Sequence, residues 1–115
     1  MKTLNIMAIL LLLIGTCEAQ IKHAKTDTVK ISGNCGMCKN TIEKAGNVKR
    51  VSAVSWNKET KLATVTYDAD KTNKKEILKR IALVGYDNEA FRAPDKAYNA
   101  LNGCCQYQRT KARNK

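Results

Sequence analysis

The chain has 115 residues, five cysteines, one histidine and one proline, with 21 Lys and Arg against 10 Asp and Glu. That length admits one small domain with a tail and excludes a multidomain enzyme carrying its own cofactor fold. A hydrophobic share of 43% with only 5% aromatics fits a small aliphatic core, and the net charge of +11 favours acidic surfaces without naming one.

Residues 1–19 read as an export signal. Lys2 supplies the positive start, and Ile6 to Gly15 is an apolar stretch of about ten residues, too short to span a bilayer. Cys17-Glu18-Ala19 then places small residues around a cleavage point after Ala19. A second reading lipidates Cys17, but Thr16 before it fits that pattern poorly. Cleavage leaves four cysteines in a soluble, exported protein, periplasmic in a Gram-negative cell and otherwise secreted. Cysteines kept in an oxidising compartment serve as disulfides or as ligands for a soft metal. Residues 20–26 read as a flexible leader, and Arg109 to Lys115, rich in cations and lacking acids, as a frayed basic end.

Thr28 to Ser32 alternates around Val29 and Ile31 as a half-buried strand does, and Gly33-Asn34 breaks it. A helix follows from Met37 to Ala45, with Cys38, Ile42 and Ala45 on one face, and Gly46-Asn47 stops it. Val48 to Trp56 and Leu62 to Tyr67 form a hairpin about the polar turn 57–60, with Val54, Trp56, Ala63, Val65 and Tyr67 facing inward. Asp70 to Asn73 leads into a second helix whose inner face is Ile77, Ile81 and Val84, leaving Lys74, Lys75, Lys79 and Arg80 outside. Gly85 ends it, and Tyr86 to Arg92 returns as a short fourth strand. The order βαββαβ makes a ferredoxin-like α/β sandwich: a four-stranded antiparallel sheet with two helices on one face. The domain is placed at 27–93 and a tail at 94–115, in which residues 94–102 form one or two helical turns before Cys104-Cys105.

Cys35-Gly36-Met37-Cys38 lies where the first strand meets the first helix. Two intervening residues let both sulfurs converge, and the unpaired N–H groups and positive end of a helix favour thiolate over thiol. Lys39 is expected to add a nearby cation. Two thiolates suit Cu(I) or Hg(II), soft ions that accept few ligands.

From about Thr28 to Arg92 the chain resembles the heavy-metal-associated domain of copper chaperones, copper-transporting ATPases and a periplasmic mercury-binding protein. The resemblance rests on GNCGMC at 33–38, VSAVSWNKETKLATVTYD at 51–68 and ILKRIALVGYD at 77–87. It implies that Cys35 and Cys38 bind a soft ion and pass it to a partner domain by ligand exchange. Cu(I) is the first expectation and Hg(II) the alternative. The family usually carries Met two residues before its first cysteine, where this chain has Gly33. Met37 is therefore expected to plug the core in its place, with an outer thioether as the alternative. Tyr86 matches a loop that faces the metal in the family. Cys104 and Cys105 depart from the pattern. Neighbouring cysteines make a strained disulfide, so they are expected either to pair with Cys35 or Cys38 or to add thiolates, which favours a higher-coordinate copper site, Zn(II) or Cd(II).

A thiol–disulfide oxidoreductase is the main rival for an exported CxxC, but Asn34 stands where such enzymes carry Trp, and Pro94 is the only proline. Nucleic-acid binding through the sheet would need exposed aromatics, whereas Trp56 and Tyr67 face the core. His23 sits in the leader, and Asp27, Asp68, Asp70 and Asp95 form no carboxylate pair, so no enzyme activity is expected. The expected partner is an acidic metal donor or acceptor, such as a transporter's metal-binding domain. No nucleic acid, and no membrane after signal removal, is expected, with the protein a monomer or a metal-bridged dimer.

Overall fold

The structure, a computed structural model, describes residues 20–109. The expected export signal at 1–19, Cys17 included, and the basic end at 110–115 lie outside the described residues. Elements follow in the order β1 (Ala24–Lys30), α1 (Gly36–Gly46), β2 (Ser52–Trp56), β3 (Leu62–Asp68), α2 (Lys74–Leu83), α3 (Asp95–Asn99) and a 3₁₀ turn at Gly103–Cys105. Among the described residues no helix is long and apolar enough to cross a membrane.

The sheet is antiparallel with order β1-β3-β2, and Val54 pairs with Val65 while Val29 pairs with Ala63. Alternation puts Val29, Val54, Trp56, Ala63, Val65 and Tyr67 on the face covered by the helices, where each is buried. Helix α1 presents Cys38 and Ile42 to that face, and α2 presents Ile77, Leu78 and Ile81. Val84, expected on the inner face, is 39% exposed. It lies past the last turn of α2, and Leu78 and Ala82 fill the core instead.

β1 begins at Ala24, inside the segment read from sequence as a leader. Ala24, Lys25 and Thr26 are all exposed, so no apolar alternation marks them. Backbone pairing to Asp68, Tyr67 and Thr66 orders them instead.

The fourth strand expected at Tyr86–Arg92 is reduced to one bridge, Ile31 to Asn88, so the sheet has three strands among the described residues. Ser32 N–H still donates to Asp87 O (2.8 Å) and Glu89 N–H to Lys30 O (3.2 Å), which lays the segment beside the end of β1. Asn88 then ends the pairing. Its Oδ1 accepts from Ala90 N–H (3.1 Å) and Phe91 N–H (3.0 Å), an Asx turn that diverts the chain.

Candidate metal centre

The turn between β1 and α1 is held from below. Trp56 Nε1 donates to Ile31 O at 2.8 Å, which seats the indole under the loop. A Cβ on Gly33 would lie 2.9 Å from two indole ring carbons. The absent side chain at 33 is thus the space that Trp56 occupies. Cys35 is the N-cap of α1, and its carbonyl accepts the first helical bond, from Lys39 N–H at 3.1 Å. Cys38 follows in the first turn, fully buried, and its Sγ accepts from Asn34 N–H at 3.4 Å.

The tail completes the site. Helix α3 and the 3₁₀ turn bring Cys104 and Cys105 over the loop, and Asn34 Nδ2 donates to Cys104 O at 3.3 Å. Cys35 Sγ then lies 3.6 Å from Cys38 Sγ, 3.2 Å from Cys104 Sγ and 3.7 Å from Cys105 Sγ. All four are free thiols. The sulfurs of Cys35, Cys38 and Cys105 lie within 4.8 Å of one another, with Cys38 and Cys105 buried and Cys35 half-buried. The tail cysteines thus converge on the loop pair, as both of their expected fates require.

Two expectations about neighbours change. Met37 is not a core plug: it is 50% exposed, and its Sδ lies 3.6 Å from Cys104 Sγ. It sits on the solvent side of α1, and Trp56 already fills the core space beneath Gly33. Lys39, expected as a cation for the thiols, is bonded to Glu43 and to Trp56 O (2.9 Å).

The electrostatics differ from sulfur to sulfur. The Cys38 backbone N–H, and after it the Cys104 thiol, lower the Cys35 thiol to about 6, against a smaller opposing effect of burial. Cys104 is pushed up, first by its hydrogen bond to Cys35 and then by burial. Burial above all pushes Cys105 up, and the Cys38 sulfur adds to it. Tyr86 is fully buried, with its hydroxyl unpartnered by any hydrogen bond of good geometry. Burial chiefly, and the adjoining Cys105 and Cys38 sulfurs, hold that hydroxyl in its neutral form. An orphaned O–H beside the Cys38 and Cys105 sulfurs is a donor available to whatever charge they carry.

The family model for the heavy-metal-associated domain matches residues 25–87, more than half of the chain. The chain belongs to this family. No curated protein matches it. Membership of the heavy-metal-associated family gives the thiol cluster its meaning as heavy-metal-binding chemistry. The matched segment contains Cys35, Cys38 and Tyr86 and ends before Cys104 and Cys105, so half of the cluster is supplied from beyond it.

Sequence reasoning missed the residues that dock this tail. Tyr107 is buried, donates to Gly85 O (2.8 Å) and accepts from Asp87 N–H (2.7 Å). Arg109, expected in the frayed end, instead reaches Asp87 Oδ1 (2.7 Å), Asp95 Oδ1 (2.9 Å) and Ala93 O (2.6 Å) and lies over the Tyr98 ring. No local periodicity marks either residue, because their partners lie 9 to 22 positions away. His23, expected in the flexible leader, faces Asp70 at 3.5 Å on the surface.

Proposed function

We propose that this protein is an exported carrier of Cu(I), which it holds on the Cys35 and Cys38 thiolates with Cys105 as a third ligand. One observation carries the reading: three thiol sulfurs within 4.8 Å, two of them buried, at the start of a helix in a heavy-metal-associated domain. Soft thiolates at low coordination number suit Cu(I), which needs no fourth ligand. The protein acts by binding and handover, without catalysis. A partner thiolate bonds to the ion as the bond from one of the three cysteines breaks, so the ion changes hands with no change of oxidation state. Of these three ligands Cys35 alone is not fully buried, and it is the one such a partner displaces first. The excess of cations makes an acidic domain the natural partner, and added salt should slow the transfer.

Anaerobic competition for Cu(I) against a chromogenic chelator, with reduced protein, tests this. The pair Cys35→Ser with Cys38→Ser should abolish all binding that survives the chelator. Cys105→Ser should weaken it at least about tenfold, the scale on which even outer partners of a metal act. Wild-type protein that yields all its copper to the chelator would overturn the reading and move Hg(II) ahead.

A further inference from the structure

Met37 and Cys104 have no structural work that explains where they sit. Methionine in a small domain usually fills gaps in the core, yet Met37 is half exposed on the first turn of α1. Its sulfur is turned towards the tail, 3.6 Å from Cys104 Sγ and 3.9 Å from Asn102 Nδ2. Cys104 is exposed and takes no part in the core. It reaches back to Cys35 at 3.2 Å, and the two are the closest pair of sulfurs in the cluster. Cys35 touches all three other thiols, at 3.2, 3.6 and 3.7 Å.

We propose that the cluster takes two monovalent soft ions bridged by Cys35: an inner one on Cys35, Cys38 and Cys105, and an outer one on Cys35, Cys104 and the Met37 thioether. This rests on the soft-metal reading of the inner three thiols and adds a second site to it. Metal–sulfur bonds of about 2.3 Å place the ligands of a trigonal ion about 4 Å apart. The Cys35–Cys104 and Cys104–Met37 separations of 3.2 and 3.6 Å need only open slightly to admit one. Thiolate and thioether are both soft donors, the class that selects Cu(I).

Charge balance permits the second ion. A thiol that binds a monovalent ion releases its proton to solvent as the sulfur–metal bond forms, so uptake of the ion leaves the net charge unchanged and involves no redox change. The two sites also differ in access. The inner ligands Cys38 and Cys105 are buried, whereas the outer ligands Cys104 and Met37 are exposed. The outer ion is therefore the first to exchange with a partner.

The test is native mass spectrometry of reduced protein loaded anaerobically with Cu(I), paired with X-ray absorption at the copper edge. Wild-type protein should carry two Cu(I) and show a copper–copper vector. Cys104→Ser and Met37→Leu should each hold one and lose that vector. Both replaced side chains are exposed, so the fold does not depend on them. One ion in the wild type overturns the outer site and leaves the carrier reading standing, while no ion at all overturns both. Two ions retained in either variant overturn the assignment of these ligands.

Discussion

Cys35 is set apart from the other cysteines by what reaches its sulfur. The Cys38 backbone N–H at the helix start and the Cys104 thiol stabilise the thiolate and lower its pKa to about 6. Burial works the other way at Cys105, which keeps its proton until something displaces it. In the metal-free cluster Cys35 is thus the sulfur favoured as thiolate, while Cys104 and Cys105 are pushed towards the thiol, with the Tyr86 hydroxyl close by. The sign for reactivity follows directly. A lowered pKa fills the thiolate as pH rises through about 6, well below the usual thiol range of about 8.5. Alkylation of metal-free protein, followed by mass spectrometry at Cys35, should rise between about pH 5 and 7 and level off above that. A rate still climbing at pH 8.5 would show Cys35 to be an ordinary thiol.

Among the elements, α1 and β2 are joined closely enough that one methyl group would separate them. A Cβ on Gly46 would meet Val54 Cγ2 at 2.4 Å. The same junction is tied by polar groups. Asn47 Oδ1 accepts from Val54 N–H (2.6 Å) and Glu43 Oε2 from Trp56 N–H (2.9 Å), which satisfies the free edge of β2. Arg80, placed on the outer face of α2 by its sequence spacing, reaches Ala45 O (3.1 Å) and Gly46 O (3.2 Å), the carbonyls at the end of α1. Gly46→Ala should accordingly destabilise the protein by about 1–3 kcal/mol, as overpacking does, although alanine is the better helix former. Urea denaturation measures it. An unchanged or raised midpoint would mean that the two elements slide apart freely.

For the molecule as a whole, the tail is the part that turns a two-cysteine loop into a closed cluster. It is anchored by Tyr107 and by Arg109, whose guanidinium grips Asp87. Burial raises the Asp87 carboxyl, but the Arg109 hydrogen bonds, the Ala93 N–H and the nearby cations outweigh it and hold the group below its ordinary value. A carboxylate lowered by folding adds stability above its unfolded pKa of about 3.9, and that stability is lost as pH falls through the lower folded value. Arg109→Ala should cost about 2–3 kcal/mol near neutral pH, a little under the range for breaking a fully buried pair. The difference between wild type and variant, read from urea midpoints across pH, should shrink below about pH 4. A difference that persists undiminished at pH 2 would assign the effect to packing on Tyr98 instead of to the ion pair.

The elements most legible in the sequence were those whose signal is local. Val29, Val54, Val65, Ile42 and Ile77 repeat at the strand and helix periods, and each is buried where that period places it. The CxxC spacing and its position at a helix start likewise foretold Cys35 and Cys38 side by side, because three residues of chain fix their separation. The first residues of β1 were invisible because Ala24 to Thr26 are exposed and are ordered by cross-strand pairing with β3. The fourth strand was over-read because the Asn88 side chain bonds the backbone two and three residues on, which alternation does not register. Sequence by itself thus determined the βαββα order, the inner faces and the thiol pair, since each depends on residues a few positions apart. Tertiary structure alone decided that Cys105 closes on Cys35 and Cys38, that Met37 faces Cys104, and that Arg109 locks the tail to Asp87. Those contacts join residues 22 to 70 positions apart, and only the packed chain brings such groups within bonding distance.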